Sequence, residues 1–485
     1  MKIYDAKTIG KWDEYTIQNE PISSIDLMER ASISACKQLI GTVFFKRIHV
    51  VCGMGNNGGD GLAMARLLSE MGKEVQVSIC RMNDEGSADF EQNLKRLPTS
   101  ITVHDLDTST AFHSEADVLV DCIFGSGLNR PVEGWPGRVI REMNESGLPI
   151  IAIDIPSGLF IGDNSNNPLK NIIQAYATFS FQVPKYPFLF ARYEKYTGIT
   201  KILHIGLLKT FDQQALATII TPALFKKRHL SHFEHKGKKG FLSLIAGQGD
   251  MVGAAILSGS AAFRGGCGYV GIYCSLAGKT ALYQSLPEAL YMGESMTTLD
   301  SKTKAIAIGP GLGVHEQSRK QLETVLEMNV PMVLDADALN ACAEDPTLLQ
   351  KIPAGAILTP HLKELERLIG HAESPEALLQ KQVDFSVERK VYVIQKGAWS
   401  KLTTPEGKVF VNPTGNPGMG TAGMGDTLTG LIGGLLAQSY APFQAAIMGV
   451  YYHGKAGDHV MQEQGKIGIL ARDVIAALPK VINGL

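Results

Sequence analysis

The chain has 485 residues, which at roughly 150 residues per domain argues for two large domains or three ordinary ones, each able to bury its own core. Lys+Arg number 46 against Asp+Glu 48, a formal net charge of -2 that leaves no basic excess for a phosphate backbone and argues against nucleic acid as a partner. With 45% hydrophobic and 19% charged residues the composition is that of a globular enzyme, and its one excess, 51 glycines, points to backbone-built loops of the kind that hold phosphates.

The opening MKIYDAKTIGKWDEY carries charges where a signal peptide needs an apolar run, and no apolar stretch approaches about 18 residues, so neither a leader nor a membrane span is expected and the expected location is cytoplasmic. Seven cysteines, odd in number, scattered and without a CxxC pair, read as reduced and mostly buried thiols. Ser24 opens a helix with apolar residues at Ile25, Met28, Ile33 and Cys36. From Arg47 to Ile205 the runs IHVVC, EVQVSIC, ADVLVDCIF, PIIAIDIP, ATFSFQV and ITKILHI alternate with helical segments, the pattern of a doubly wound parallel sheet. A second α/β run follows with FLSLIAG, KAIAIG, VPMVLDA, AGAILTP and VYVIQKG. Between the two lies the basic stretch TPALFKKRHLSHFEHKGKKG, which puts the boundary near Pro222 and the domains at 1–220 and 221–485.

Strand IHVVC runs into GMGNNGGDG and then into the helical LAMARLLSE. Gly53, Gly55 and Gly58 spell GxGxxG, but Asn56, Asn57 and Asp60 crowd the turn and the next strand ends in Cys80-Arg81, without the acid that binds a ribose in a Rossmann cofactor domain. Asp60 is either part of a polar site or a cap of the following helix. VLVDCIFGSGLNRP adds Asp121 and PIIAIDIPSG adds Asp154 and Ser157, both at strand ends where ligands of doubly wound sheets collect. A partly desolvated carboxylate there serves as a general base or, alternatively, caps a turn.

Together these three motifs resemble the NAD(P)H-hydrate epimerases over most of residues 1 to 215. The resemblance implies that Asn56, Asn57, Gly58, Gly59 and Asp60, with Gly125, Ser126, Gly127, Leu128, Asn129, Arg130 and Pro131, line a site for hydrated NAD(P)H. It also implies a potassium ion (K⁺) near Asn57, Asp121 and Ser157, and Asp154 on the ligand as a catalytic residue. VPKYP at 183–187 departs from the Gly-containing turn expected after Pro-Lys, which leaves Lys185 without an assigned role.

In NPGMGTAGMGDTLTGLIGGLLAQS, Gly420, Gly423 and Gly425 precede Asp426, and Leu428, Leu431, Ile432, Leu435 and Leu436 then recur at helical spacing. A glycine loop ending at a helix N-terminus holds a phosphoryl group on backbone N–H donors, and Asp426 at its mouth is either the base that deprotonates an alcohol or an N-cap. Lys396, after an apolar strand and before Gly397, approaches a phosphate or is a solvated strand end. His361 after LTP is a hydrogen-bonded structural residue or a participant, and Asp335 and Asp337 of LDADALN hold a metal, hold a water or cap a helix.

The glycine loop is similar to the anion hole of ribokinase-like kinases, with Met424 where they carry alanine. With HKGKKGFLSLIAGQGDMVGAA, AIGPGLG, LDADALN, LTPHLKEL and IQKG in order, residues 225–485 resemble the ADP/ATP-dependent NAD(P)H-hydrate dehydratases, and the whole chain resembles the bifunctional NAD(P)H-hydrate repair enzymes. The implied fold is α/β in two domains, Rossmann-like and then ribokinase-like. The resemblance implies that Ala254, Gly313, His361, Leu362, Lys363, Glu364, Leu365, Glu366, Arg367 and the catalytic Asp426 surround the hydrated nucleotide. It implies that ADP or ATP, the phosphoryl donor, lies against Lys396, Gly397, Ala398, Trp399 and Ser400 and against Asn416, Pro417, Gly418, Met419, Gly420, Thr421, Ala422, Gly423, Met424 and Gly425, with Mg²⁺ on its phosphates. A homo-oligomer with small-molecule substrates is expected. The rival readings are a plain kinase that accumulates its phosphorylated product, and a first domain that only regulates the second.

Overall fold

The β-branched runs become central strands because both of their faces are covered. In the computed structural model, which describes residues 1–42, 45–226, 228 and 231–484, the first half holds β1 (Arg47–Cys52), β2 (Glu74–Cys80), β3 (Thr102–Leu106), β4 (Val118–Cys122), β5 (Ile150–Ile153), β6 (Ala177–Phe181) and β7 (Ile199–Leu203). They pair in parallel in the order β3-β2-β1-β4-β5-β6-β7. Val50, Cys52, Val118 and Val120 enter one core layer while Val51, Leu119 and Ala152 enter the other, as a period of two requires. Strand order reverses between β1 and β4, so a crevice opens beyond the carboxyl ends of those strands.

Helices α1 (Ala6–Asn19) and α3 (Asn56–Glu70) line that crevice, and α2 (Ser24–Thr42) packs on α3. Asp5 caps α1 by accepting from the Thr8 N–H at 2.7 Å. Trp12 anchors the helix, its ring stacked on Phe211 at 5.6 Å and its Nε1 donating to the Leu208 carbonyl at 2.8 Å.

The chain divides into two compact units, Lys2–Leu216 and Ala217 onward, so the division falls ahead of Pro222. Lys227, His229 and Leu230 of the basic stretch lie outside the described residues. Its described part docks on the second unit, with Lys226 N–H donating to Gln444 at 2.8 Å and Arg228 N–H to the Tyr440 hydroxyl at 3.2 Å.

The second unit's strands are β8 (Ala217–Ile219), β9 (Phe241–Ile245), β10 (Tyr269–Tyr273), β11 (Leu290–Gly293), β12 (Ala305–Ile308), β13 (Met332–Leu334), β14 (Ile357–Leu358), β15 (Tyr392–Gln395), β16 (Lys401–Thr403) and β17 (Val409–Val411). Their order is β8-β17-β16-β15-β14-β13-β12-β9-β10-β11, parallel except for the antiparallel β15-β16-β17 meander. Helices α4 (Val252–Arg264), α5 (Leu362–Ile369), α6 (Met424–Ala437) and α7 (Pro442–Gln464) matter for the site. Gly430 lets α6 touch α4, since a Cβ there would lie 1.9 Å from the Ser258 carbonyl oxygen. That contact fixes the depth at which the first turn of α6 sits.

Among the described residues no helix is long and apolar enough to cross a membrane, and all seven cysteines are free and buried.

Candidate active sites

In the first unit the turn from β1 to α3 is locked by close backbone packing. A Cβ on Gly53 would lie 2.0 Å from the Ile123 carbonyl oxygen, and one on Gly58 would lie 1.9 Å from that of Gly53. Gly59 lies against Met28. Gly58 and Gly59, expected on the ligand, therefore lie behind the turn, and the residues that face the crevice are Asn56, Asn57 and Asp60. The alternative that Asp60 caps the helix fails, because Gly55 holds the cap position and Asp60 lies in α3 beyond its first turn. Burial, then the charges of Asp154, Asp13 and Asp89, push the Asp60 carboxyl well above the usual range.

The crevice is a cleft of about 1070 Å³. Gly125, Ser126, Gly127, Leu128, Asn129, Arg130 and Pro131 all line it, as do Asp154 and Lys185. Asp154 follows β5 in the left-handed backbone region, φ 67, its N–H donating to the Phe179 carbonyl at 2.8 Å. Its Oδ1 accepts from the Phe181 N–H at 3.2 Å and from Lys185 Nζ at 2.7 Å. The Lys185 side chain is 1% exposed and also donates to the Phe181 carbonyl at 2.9 Å, so the departure from the expected turn after it leaves this lysine fixed on Asp154.

Beneath the cleft, the fully buried Asp121 accepts from Ser157 N–H (2.8 Å), Ser157 Oγ (2.6 Å) and Ile123 N–H (3.2 Å). Burial pushes its carboxyl up to about 6 in spite of those bonds. Ser157 Oγ in turn accepts from Phe124 N–H at 2.8 Å, and Asn57 Nδ2 donates to the Phe124 carbonyl at 3.1 Å. Asn57 Oδ1 is buried and has no hydrogen-bond partner. An orphaned oxygen beside a buried carboxylate, a hydroxyl and a carbonyl suits a hard monovalent cation.

Sequence reasoning missed Asp13, which also lines the cleft. On α1, Ala6, Ile9, Gly10 and Asp13 face the cleft together, spaced as one helical stripe. The signal in the sequence is an acid that ends an otherwise small and apolar helical face.

In the second unit, Gly423 takes the N-cap position of α6 in the left-handed region, φ 88. Asp426 is therefore a first-turn residue and not the cap. Its main-chain carbonyl accepts from Ser258 Oγ at 2.9 Å, while burial and the charges of Asp335 and Asp337 push its carboxyl up to about 6 against the pull of Lys396. Lys396 is no solvated strand end: its Nζ lies 2.5 Å from Asp335 Oδ1 and 3.8 Å from Glu364 Oε2. Asp335 Oδ2 accepts from Thr429 Oγ1 at 2.7 Å, a partner that carried no sequence signal. A Cβ on Gly425 would stand 3.4 Å from Lys396 Nζ, so the glycine loop passes directly over this pair.

Asp337 Oδ2 accepts from the Gly313 N–H at 2.7 Å, and Gly311 abuts Ala254, which brings both expected residues to the same rim. His361 is the cap of α5, its Nδ1 accepting from the N–H groups of Lys363 (3.1 Å) and Glu364 (3.2 Å) while Glu364 accepts from His361 N–H (2.8 Å). Of the expected segment 361–367, Glu364 joins the cluster, whereas Leu365 is in the core, Glu366 pairs with His371 and Arg367 donates to Asn340. Leu365 departs from the expectation that the whole segment surrounds a ligand, because one helical step from Glu364 turns its side chain into the core.

The expected nucleotide loop is braced from below. Asn416 accepts from Gly418 N–H at 3.0 Å and donates to Asp458 at 3.1 Å, and Thr421 Oγ1 donates to the Ile469 carbonyl at 3.0 Å. Ser400 Oγ closes its own turn on the Gly397 carbonyl at 2.9 Å, after Trp399 in the left-handed region, φ 53. His453 of α7 also lies here unforeseen, its Nε2 buried without a partner and its ring held down to about 4 by burial and by Lys396.

Comparison with known proteins adds two family models, NAD(P)H-hydrate dehydratase over residues 242–480 and YjeF-related protein N-terminus over residues 24–186. A bifunctional NAD(P)H-hydrate repair enzyme of Moorella thermoacetica is 33% identical over 100% of this chain and 97% of its own. Among solved structures, a ribokinase-like superfamily protein of Enterococcus faecalis matches with 26% identity and a TM-score of 0.50, over 57% of this chain and 99% of that one. An ADP/ATP-dependent NAD(P)H-hydrate dehydratase of Bacillus subtilis, co-crystallized with ATP/Mg²⁺, has 31% identity and a TM-score of 0.47, over 53% of this chain and 93% of that one.

Proposed function

The chain belongs to the bifunctional NAD(P)H-hydrate repair enzymes, and from that premise we propose that its first unit epimerises the R and S hydrates of NAD(P)H and its second dehydrates the S hydrate with consumption of ADP or ATP. The observation that carries this reading is the Lys396–Asp335 pair under the glycine loop with Asp426 beside it.

In the second unit Asp426 takes the proton of the substrate hydroxyl. Its elevated carboxyl is closer to the working pH than a free aspartate, which makes it a better matched base. The nucleotide supplies the phosphoryl group that turns hydroxide, a poor leaving group, into phosphate, a good one. Backbone N–H groups around Gly423 and Gly425 and the Lys396 ammonium receive that group, and the start of α6 adds its dipole. Asp335, Asp337, Glu364 and Asp426 outnumber Lys396, a surplus of carboxylates that fits Mg²⁺ carried on the nucleotide phosphates.

In the first unit the Gly125–Pro131 loop and Asn56 orient the dinucleotide, and Asp154 works on the ring with Lys185 as its counter-charge. Asn57, Asp121 and Ser157 would hold K⁺, which would supply positive charge beneath the cleft.

Incubating the full chain with mixed hydrates, with and without nucleotide, tests the assignment. Reduced-nicotinamide absorbance should recover completely with nucleotide and not at all without it. Recovery of the S fraction alone would remove the epimerase, and accumulation of a stable phosphorylated product would favour the plain kinase.

A further inference from the structure

Epimerisation through loss and return of the hydroxyl transfers two protons, one to the departing oxygen and one from the incoming oxygen. Water adds to an enamine at the carbon bonded to nitrogen, so the hydrated dihydronicotinamide is a carbinolamine with its stereocentre at that carbon. One route to inversion has the hydroxyl leave one face as water and a second water enter the other. Because departure and entry use opposite faces of the ring, separate groups on the two faces serve the two transfers best. Asp154, held by Lys185 at 2.7 Å, supplies one carboxylate; the epimerase reading gives no other carboxyl a proton-transfer role.

We propose that Asp13 is the general acid of the epimerase site, protonating the hydroxyl that leaves the ring while Asp154 accepts the proton of the water that enters. The inference rests on the epimerase reading and extends it. When the C–O bond breaks, its electron pair goes to oxygen and the ring-nitrogen lone pair forms a C=N bond, giving an iminium ion. The oxygen departs as water carrying the Asp13 proton. A water then bonds to the same carbon from the opposite face, its electron pair closing the C–O bond while the C=N pair returns to nitrogen and its proton passes to Asp154. The balance is one proton moved from Asp13 to Asp154, restored through solvent in the open cleft.

Three observations carry the assignment. Asp13 and Asp154 line one cleft from different elements, α1 and the turn after β5, so a ligand in that cleft meets two carboxyls carried independently. The stripe beside Asp13 is Ala6, Ile9 and Gly10, and a Cβ on Gly10 would meet nothing within 4 Å, which leaves room for a ring against this face. Finally, the Trp12 stack on Phe211 and the Leu208 N–H donating to Thr16 Oγ1 at 3.2 Å anchor the helix that carries the carboxyl. The charged groups that face Asp13 are Asp154, Asp60 and Lys185 from the rest of the site and Glu14 on its own helix. Burial first, then Asp154, push its carboxyl up to about 7 against Lys185, so near neutrality much of it carries the proton an acid must give. Two carboxyls in one site with different environments are the usual division of acid and base.

The test compares wild type, Asp13→Asn and Asp13→Glu as full chains, on R hydrate for epimerisation and on pure S hydrate with nucleotide for dehydration. Asp13→Asn should lower the epimerisation kcat by about 10²-fold or more with KM little changed. It should leave dehydration and the thermal midpoint near wild type. In wild type, epimerisation should fall as pH rises through about 7 while Asp13 loses its proton, and this limb should vanish in Asp13→Asn and return, displaced, in a partly active Asp13→Glu. A wild-type rate and pH profile in Asp13→Asn, or a raised KM with unchanged kcat, overturns the proposal. Should Asp13→Asn not fold, an Asp13→Glu profile identical to wild type in position overturns it. Failure of wild type itself to epimerise the R hydrate would instead overturn the epimerase reading.

Discussion

Both halves place a glycine-rich turn after a strand and before a helix, and both keep a Lys–Asp pair next to an aspartate whose carboxyl is pushed upward. They use their glycines in opposite ways. In the first half a Cβ on Gly53 or Gly58 would meet main-chain oxygen at 2.0 or 1.9 Å, so the turn is sealed against its own protein and presents side chains to the ligand. In the second half Gly420 has only the Pro417 carbonyl within reach, at 3.3 Å, and Gly425 looks onto Lys396 and Asp335, so the turn presents its backbone. Similar glycine content therefore yields a side-chain site in one case and an anion site in the other. What separates them is what stands where the missing Cβ atoms would be: main-chain oxygen within 2.0 Å at Gly53 and Gly58, but no main-chain atom nearer than 3.3 Å at Gly420, Gly423 and Gly425.

That contrast breaks first at Asp426. Because Gly423 is the cap, Asp426→Asn removes a base and no capping bond; nucleotide-dependent dehydration should drop by roughly 10²- to 10⁴-fold with an unaltered thermal midpoint. Epimerisation by the same protein is the internal control, and near-normal dehydration would reduce Asp426 to a structural residue.

The paired lysines sharpen it next. Lys185 is 1% exposed and Lys396 20%, so Lys185→Met should destabilise its unit more, by about 3–5 kcal/mol as for other broken buried pairs, and Lys396→Met by less. Urea unfolding of the two variants, followed by separate probes in the two halves, checks the order. Equal losses would mean that the two pairs are equivalent in spite of their burial.

The smallest effect is a pH limb. As a base, Asp426 works ionised, so dehydration kcat/KM should rise with pH through about 6 and then level. A flat profile from about pH 5 to 8 would separate the upward push on this carboxyl from catalysis.

The strands were legible because alternating or continuous β-branched runs have no better way to bury themselves, and the order of motifs along the chain carried both glycine turns. What the sequence concealed was direction. Asn-Asn-Gly-Gly-Asp reads as five neighbours, yet the helix that begins at Asn56 turns Gly58 and Gly59 to its back and leaves Asn56, Asn57 and Asp60 in front. The same rotation turned Leu365 into the core, one step from the Glu364 that joins the Lys396 cluster. Partnerships between distant segments were hidden as well: Lys185 with Asp154, Thr429 with Asp335, and Asp13 with everything across its cleft.

The left-handed backbone of Asp154 bears on how its chemistry can be probed. At φ 67 any residue but glycine, asparagine or aspartate is strained by about 1–3 kcal/mol. Alanine scanning at this position would thus mix a backbone penalty with the loss of the carboxyl, and a damaged rate would be ambiguous. Asparagine keeps the backbone preference and glycine relaxes it, so together they bracket the conformational part of the effect. If Asp154→Gly tolerates heat better than the native chain while losing its epimerase, the site is one that trades durability for the placement of one carboxylate.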